Sequence, residues 1–354
     1  MSYHPGCSMV EKPAVGDCGE FILIDRIRKL LPPVSGSVRL GIGDDAAVIR
    51  QPGGEALLVT TDMLVEGIHF DCSFISAADL GGKALAVNLS DIAAMGGIPT
   101  GCFLGLGLPP SLSLAWFTDF IAGMMDTAGH YGVQLLGGDT VASEQITIAI
   151  TMHGRAAEVE IVYREGAKPG DRIYVSGTLG DSALGLHLLQ QGKTADMDKK
   201  PAESFLINRH RRPQPRIQLA HRLAETSLAS SMLDVSDGLL GDLGHLLVAG
   251  GRLGAEIILD HLPLSPAYRQ LQSLGLLDGY LPALTGGEDY ELLFTVAAER
   301  EDELAGITMD SGVDVRCVGR IEEKAGIRLK LPGGQLFSAD DLHGYDHFSV
   351  HNVS

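Results

Sequence analysis

The sequence predicts an α/β fold with mixed sheets, divided between two domains. The chain has 354 residues, which exceeds the roughly 250–300 residues at which a single hydrophobic core stops growing. Segments with strand and helix patterns alternate along the chain, as they do in α/β proteins. The turn-rich segment GAKPGD at 166–171 separates one such alternation from a second.

The first half of the chain contains three predicted helices. A helix over 21–31 has its apolar residues on one face, and a helix over 76–95 begins at the capping residue Ser76 and stops at two glycines. A third helix over 113–131 ends at Gly132. The region 38–49 is strand-like around a Gly-Ile-Gly turn. Apolar runs between turn signals predict further strands at 56–61, 100–108, 133–136 and 146–154.

The second half predicts a further α/β domain. Strands are expected at 172–175, 231–233 and 291–296, with a helix over 239–248 after the second of them. The charged tract 192–203 contains few apolar residues and is expected to be a solvated loop. We predict a flexible leader at 1–18, an N-terminal domain at 19–155 and a C-terminal α/β domain at 156–354.

Composition excludes several classes of protein. The chain has 45 acidic and 27 basic residues, whereas a nucleic-acid-binding protein presents a basic face. The N-terminus has no signal-peptide pattern, and no apolar stretch is long enough to span a membrane. Five irregularly spaced cysteines include no C-x-x-C pair, which argues against a disulfide framework or a zinc site. These features indicate a protein of the reducing cytoplasm.

Six aspartate-bearing motifs carry the chemical signal of the sequence. Most of them follow an apolar run or a glycine pair, where a chain leaves a strand or enters a helix. Carboxylates beside glycines that allow close backbone approach indicate a site for hard metal ions, and such a site next to a nucleotide indicates phosphoryl transfer. The motifs are Gly41–Asp45, Thr60–Asp62, Asn88–Asp91, Gly137–Asp139, Asp234–Asp237 and Gly286–Asp289.

Most of these motifs also have an ordinary structural explanation when each is taken alone. The acidic pair at 44–45 resembles a polar turn, and the segment 60–62 could cap a helix after a strand. Ser236 or Asp237 could cap the helix that begins near residue 239. Asp91 is harder to explain in this way, because a carboxylate within an apolar helix must face water, a partner or a metal.

The motifs resemble those of the thiamine-monophosphate kinase family, in order from about residue 19 to residue 348. The wider aminoimidazole-ribonucleotide-synthetase superfamily shares the GDD, NLSD and GGD-like elements. The histidine after TTD, together with DVSDGL, GGEDYEL and GYDHF, narrows the resemblance to the kinase. The matching segments are GIGDDAAVI, TTDMLVEGIHF, KALAVNLSDIAAMGG, LLGGDT, YREGAKPGD, DVSDGL, GGEDYELLF and GYDHF.

The resemblance implies a two-domain protomer whose N-terminal sheet forms a barrel across a homodimer, with ATP bound at that interface. It implies phosphorylation of thiamine monophosphate to thiamine diphosphate with several Mg²⁺ ions, and a catalytic set of Asp45, Asp62, Asp91 and Asp139. The metal-binding positions carried over are Asp45, Thr60, Thr61, Asp62, Asp91, Asp139, Asp234 and Asp237. The nucleotide contacts are Gly138, Asp139, Arg164 and Ser236, and the substrate contacts are His69, Glu288 and Tyr345.

A phosphate monoester acceptor explains why the sequence has no evident Ser-His or Cys-His pair. The second pKa of such a phosphate is about 6, so near neutral pH the acceptor is already mostly dianionic and needs little or no general base. Lys83 follows two glycines, but the full G-x-x-x-x-G-K-[ST] spacing is absent, so a Walker nucleotide site is not supported.

Four alternatives remain at this point. Selenophosphate synthetase would need a lysine beside a reactive cysteine, and Cys18 has no such neighbour. A hydrogenase-maturation factor would need a tail that ends in cysteine, whereas the last four residues here are HNVS. Aminoimidazole-ribonucleotide synthetase is a further ATP-using relative. A non-catalytic regulator would be expected to have lost metal ligands, and all of the carried-over positions are retained.

Overall fold

The computed structural model describes residues 19–196, 198–277, 279–339 and 342. The described residues fall into two units, residues 19–33 in the first and the described residues from 34 onward in the second. In the described part of the first unit, helix α1 spans Glu20–Leu30 with Gly19 as its N-cap. It ends just before the Pro32-Pro33 pair, one residue short of the end predicted at 31.

The second unit begins with a six-stranded sheet. Its strands lie in the order β1-β2-β3-β6-β4-β5, and neighbours are antiparallel except for the parallel pair β4–β5. The strands are β1 Val38–Leu40, β2 Ala47–Arg50, β3 Glu55–Val65, β4 Ile98–Leu108, β5 Gln134–Ala142 and β6 Thr147–Ala157.

Two long helices pack against one another beside this sheet, α2 (Ala77–Ala94) and α3 (Leu114–Tyr131). A Cβ atom added at Gly81 would lie 2.0 Å from the carbonyl oxygen of Phe120, and one added at Gly123 would lie 2.0 Å from that of Ala78. Glycine at both positions therefore permits a close helix crossing. A buried cluster that includes Leu85, Met124 and Ile150 fills the space between helices and sheet.

A seven-stranded sheet follows, in the order β13-β12-β9-β11-β7-β10-β8, and only β9–β12 is a parallel pair. Its strands are β7 Arg172–Ser176, β8 Ala229–Asp234, β9 Gly254–Ile258, β10 Leu292–Val296, β11 Val315–Glu322, β12 Gly326–Lys330 and β13 Leu336–Ser338. The remaining helices are α4 Asp181–Gln190, α5 Pro201–Arg211, α6 Ile217–Glu225, α7 Leu239–Ala249, α8 Pro266–Ser273, α9 Leu281–Thr285 and α10 Leu304–Ser311.

The end of α2 packs against the second sheet and its helices. Ala93 of α2 belongs to a buried cluster with Leu223 of α6 and Met232 of β8. A Cβ atom added at Gly96 would lie 2.4 Å from the Cβ of Ala224. This packing brings the last turn of α2 close to the end of β8, and so joins residues that lie far apart in the sequence.

Several predicted elements need correction. The strand predicted at 56–61 extends over Glu55–Val65, and the strand predicted at 133–136 continues through the glycine pair to Ala142. Helix α5 begins at Pro201, inside the tract predicted as a loop, because Pro201 at the first helical position suits a helix start. The strand-like region predicted at 38–49 around a Gly-Ile-Gly turn forms two strands, which the GIGDD segment separates.

The two long helices begin and end as predicted. The Ser76 hydroxyl accepts a hydrogen bond from the backbone N–H of Asp79, and Ser113 caps α3 in the same way. Gly132 ends α3 in the left-handed conformation. Within the described ranges, no helix is long and apolar enough to cross a membrane.

Candidate active site

Three carboxylates from distant parts of the sequence converge at one point of the second unit. Asp45, Asp91 and Asp234 each place one oxygen within 4.8 Å of the others. Asp45 follows the glycine-rich segment between β1 and β2, Asp91 lies in the last turns of α2, and Asp234 is the last residue of β8. Oxygen ligands grouped in this way suit a hard divalent cation.

Strand β3 contributes one side chain and one backbone group to the hydrogen bonds around this carboxylate cluster. The Thr60 hydroxyl donates a hydrogen bond of 2.5 Å to Asp91 Oδ2, and the backbone N–H of Asp62 donates one of 3.2 Å to Asn88 Oδ1. Because side chains alternate along a strand, Thr61 faces the other side, where its hydroxyl lies 3.2 Å from that of Thr151. The segment 60–62 therefore lies within a strand and caps no helix, contrary to one of the predicted explanations.

Helix α2 holds the polar residues that the sequence placed among apolar ones. Ser90 donates a hydrogen bond of 2.6 Å to Asp234 Oδ2. The Asn88 amide donates to the Ala84 carbonyl of the preceding turn, which orients its oxygen toward Asp62. Asp91 thus faces other polar groups at the junction of α2 with β3 and β8, and the expectation that it needs such partners is confirmed.

Burial and mutual repulsion disfavour the ionised forms of these carboxylates. Burial, followed by the charges of Asp62, Asp234 and Asp45, raises the pKa of Asp91 well above its ordinary value. Burial and the charge of Asp45 raise the pKa of Asp234 to about 8. The same causes raise the pKa of Asp62 to about 6. A bound cation would reverse this effect, because it favours the ionised forms.

Arg164 supplies positive charge to one side of the cluster. Its guanidinium bonds Asp45 Oδ1, and its backbone N–H donates a hydrogen bond of 3.1 Å to Asp44 Oδ2. Burial and the charge of Asp45 raise the pKa of Asp44 to about 7. The other oxygen of Asp45, Oδ2, is buried and has no hydrogen-bond partner among the described residues.

The loop between β8 and α7 is held by a residue that the sequence analysis did not identify. Asp242 Oδ2 accepts hydrogen bonds of 3.1 Å from the N–H of Asp237 and 3.0 Å from that of Gly238. The N-cap of α7 is Gly238, without a side-chain cap, so the prediction that Ser236 or Asp237 caps this helix is wrong. An acid in the first helical turn was the available signal.

The Gly286–Asp289 motif forms a loop against the β8–α7 loop. Glu288 has a φ of +66°, and its backbone N–H donates a hydrogen bond of 2.7 Å to the Ser236 carbonyl. Its carboxylate lies 3.1 Å from Lys83 Nζ and 3.2 Å from His210 Nδ1. His69 accepts a hydrogen bond at Nδ1 from the N–H of Val65.

Gly138 and Asp139 lie on β5, at the edge of the first sheet. A Cβ atom added at Gly138 would lie 1.8 Å from the Leu104 carbonyl oxygen, so the close strand pairing there requires glycine. Asp139 is exposed, and its carboxylate accepts a hydrogen bond from the N–H of Thr140. No described contact joins Asp139 to the carboxylate cluster. Tyr345 lies outside the described residues.

Two family models match the chain. "AIR synthase related protein, N-terminal domain" covers residues 43–156, and "AIR synthase related protein, C-terminal domain" covers residues 168–332. The chain is also 42% identical over 334 residues to the thiamine-monophosphate kinase of Escherichia coli (strain K12). That alignment covers 94% of this chain and 99% of the relative.

Solved structures give a consistent picture. A structure described as "AaThiL complexed with AMPPCP and TMP" matches with a TM-score of 0.83 and 35% identity, over 95% of this chain and 99% of that one. The thiamine-monophosphate kinase of Stenotrophomonas maltophilia K279a matches with a TM-score of 0.73 and 41% identity. That match covers 88% of this chain and 96% of the other.

Proposed function

The chain belongs to the thiamine-monophosphate kinase family, and from this premise we propose that it transfers the γ-phosphoryl group of ATP to thiamine monophosphate. The products are thiamine diphosphate and ADP, and the reaction is the final step of thiamine diphosphate synthesis. The observation that carries the proposal is the convergence of Asp45, Asp91 and Asp234 within 4.8 Å, since clustered carboxylates suit the metal ions that accompany a nucleotide triphosphate.

The carboxylate cluster fits Mg²⁺. Its donors are oxygens, which Mg²⁺ prefers, and the buried Asp45 Oδ2 has no hydrogen-bond partner among the described residues. We propose that Asp45, Asp91 and Asp234 hold these ions together with Thr60, Asp62 and Asp237. The resemblance adds Thr61 and Asp139, which lie on the opposite face of β3 and on the edge strand β5. Bound Mg²⁺ would neutralise charge on the phosphates.

Within this mechanism the protein positions and neutralises the reactants and moves no proton. The acceptor phosphate is mostly dianionic near neutral pH, because its second pKa is about 6. Transfer is then direct, with the two phosphates held in line and no phosphoenzyme. Arg164, Gly138 and Ser236 would contact the nucleotide, and His69, Glu288 and Tyr345 the acceptor. The cost of bringing two polyanions together is the main barrier, and the cationic groups of the site lower it.

The edge strand β5 supports the proposed homodimer. All nine of its residues are exposed in the single chain, and they include Leu135, Leu136 and Val141. An exposed apolar edge strand favours pairing with another chain. We propose that the first sheet forms a barrel with the same sheet of a second copy.

The proposed domain division follows the prediction from the sequence. The chain divides into an N-terminal domain at 19–155 and a C-terminal domain at 156–354, after a flexible leader at 1–18. We also propose that the protein acts in the cytoplasm.

The experiment that tests the function is a product analysis by HPLC. Purified protein is incubated with ATP and Mg²⁺ and either thiamine monophosphate or free thiamine. We expect thiamine diphosphate and ADP from the monophosphate alone, and no product after EDTA is added. Mg²⁺-dependent ATP binding without product would instead indicate another acceptor or a regulatory protein.

A further inference from the structure

Lys83 is a buried cation on α2. Its side chain is 1% exposed, and its Nζ lies 3.1 Å from Glu288 Oε1. Burying an ammonium group is costly unless an opposite charge compensates for it. The Lys83–Glu288 pair joins α2 to the loop before β10. Neither residue is a member of the carboxylate cluster, to which Asp91 of the same helix belongs.

The second oxygen of Glu288 is held by His210 of α5. Oε2 lies 3.2 Å from His210 Nδ1, which also lies 3.1 Å from the Ser182 hydroxyl. Burial and the charge of Lys83 lower the pKa of His210 to about 3, so its ring is neutral at pH 7. Nδ1 is therefore the ring nitrogen that faces both Glu288 Oε2 and the Ser182 hydroxyl. Lys83 and His210 together orient both oxygens of the carboxylate.

These contacts keep Glu288 ionised. Burial raises the pKa of the Glu288 carboxyl, but the charge of Lys83, followed by smaller influences of His210 and His69, lowers this pKa below its ordinary value. Tyr290 also faces this carboxylate. Lys83 is the largest of the opposing influences, so its removal would leave burial to favour the neutral acid.

We propose that Lys83 is a positioning residue for acceptor recognition, which acts by holding Glu288 as an oriented anion. The inference rests on the proposed function, in which Glu288 contacts thiamine monophosphate. Thiamine carries a permanent positive charge on its thiazolium ring. An ionised carboxylate attracts that charge and accepts hydrogen bonds, whereas a neutral acid loses the attraction.

The first test is the steady-state kinetics of Lys83→Met. Loss of a charge-assisted contact is expected to raise the KM for thiamine monophosphate about tenfold or more, with the KM for ATP unchanged. The matched control is Lys200→Met, which removes the lysine of an exposed pair with Glu203 on α5 and should leave both constants unchanged. Equal increases in both KM values for Lys83→Met would contradict the inference and indicate a general structural role.

A second comparison separates action through Glu288 from other effects. In a Glu288→Gln background an uncharged amide already replaces the carboxylate, so adding Lys83→Met should raise the KM for thiamine monophosphate little further. Multiplication of the two single effects would show that Lys83 acts independently of Glu288, and would overturn the inference.

The pH profile provides a readout that a structural role would not change. In the wild type the lowered pKa keeps Glu288 ionised in mildly acidic solution. In Lys83→Met the pKa rises, so kcat/KM for thiamine monophosphate should fall at a higher pH than in the wild type as the solution is acidified. An unshifted profile would contradict the inference.

Lys83→Gln covers the case in which the methionine variant does not fold. Its amide can still donate to Glu288 but carries no charge, so the same increase in KM and the same shift of the pH profile are expected. A normal KM in this variant would show that the charge of Lys83 is not needed and would overturn the inference.

A binding measurement separates failure of this inference from failure of the proposed function. If the wild type made no thiamine diphosphate, the proposed function would fail. The role of Lys83 would then be tested by calorimetry, which compares the binding of thiamine monophosphate to the wild type and to Lys83→Gln. Weaker binding to Lys83→Gln would support the role of Lys83, and equal binding or none to either protein would overturn it.

Discussion

At the scale of single residues, the carboxylates of the cluster repel one another when no metal is bound. The pKa of Asp234 rises from 3.8 to about 8 through burial and the charge of Asp45. A carboxyl whose pKa is raised by folding binds its proton more tightly in the folded than in the unfolded protein. The free energy of unfolding of the metal-free protein should therefore fall as the pH rises from about 4 to about 8.

This repulsion predicts a pH-dependent stabilisation by Mg²⁺. Ionised ligands bind the cation, so the increase in Tm caused by Mg²⁺ should be larger at pH 8 than at pH 5. Thermal melts with EDTA or with Mg²⁺ across this range provide the measurement. Asp234→Asn should reduce both the pH dependence of the metal-free protein and the Mg²⁺ effect. Equal stabilisation at the two pH values would count against a metal site here.

Asp139 provides a second prediction, because the resemblance gives it a metal and nucleotide role although it lies on the edge strand β5. Asp139→Asn should lower kcat by orders of magnitude, because in the proposed mechanism Asp139 would help to hold the Mg²⁺ that neutralises the phosphates, while the circular dichroism spectrum stays the same. Asp119→Asn on the exposed surface of α3 is the control. Near-normal turnover of Asp139→Asn would remove this residue from the catalytic set.

Residue chemistry was predictable where a polar side chain broke an apolar pattern. Asp91 stood within an apolar helix, and the structure places it among Thr60, Asp45 and Asp234. Asp242 and His210 were not predicted, because an acid in a first helical turn and a histidine in a charged segment are both common on protein surfaces. Their importance arises from contacts across the fold, which the local sequence does not contain.

At the scale of elements, Asp242 links helix α7 to the loop that follows Asp234 and carries Ser236 and Asp237. Asp242→Ala would leave the N–H groups of Asp237 and Gly238 without their acceptor. We expect the free energy of unfolding to fall by about 1–3 kcal/mol, as measured by urea denaturation. The apparent Mg²⁺ requirement for turnover should also rise, because the loop is less well held. Asp242→Asn retains an acceptor oxygen and should be affected less; an equally large effect would contradict this account.

The helices were easier to predict than the strands. Caps at Ser76 and Ser113 and a left-handed glycine at 132 determine the ends of α2 and α3. Strands β3 and β5 run beyond their apolar segments, because pairing with β6 and β4 supplies hydrogen bonds that no local pattern reveals. The acids at 62 and 139 therefore lie within strands, although the sequence suggested strand ends.

At the scale of the whole molecule, the apolar edge of the first sheet predicts association. Leu136 is 51% exposed on β5, and a charge there should oppose pairing of two edges. We expect a dimer for the wild type and a monomer for Leu136→Lys by light scattering. Leu114→Lys changes a leucine of α3 that is 78% exposed and should leave the dimer intact. A monomeric wild type at assay concentration would contradict the proposed homodimer.

The long-range arrangement of the site could not be derived from the sequence alone. The six motifs indicated a metal site. How Asp91 comes close to Asp234, 143 residues later in the chain, is explained by the packing of α2 against β8 and α6. The resemblance to a family supplied the expected roles of Gly138, Arg164 and Tyr345. Composition and periodicity assigned none of these roles.

The central claim is that the carboxylate cluster supports direct phosphoryl transfer to thiamine monophosphate. The most direct measurement is a rapid-quench single turnover with ATP labelled in its γ-phosphate, for the wild type and Asp91→Asn. We expect the label to pass into thiamine diphosphate, with none on the protein, and transfer in Asp91→Asn to be slower by orders of magnitude although the variant remains folded. Labelled protein formed from ATP alone, or wild-type rates in Asp91→Asn, would contradict it.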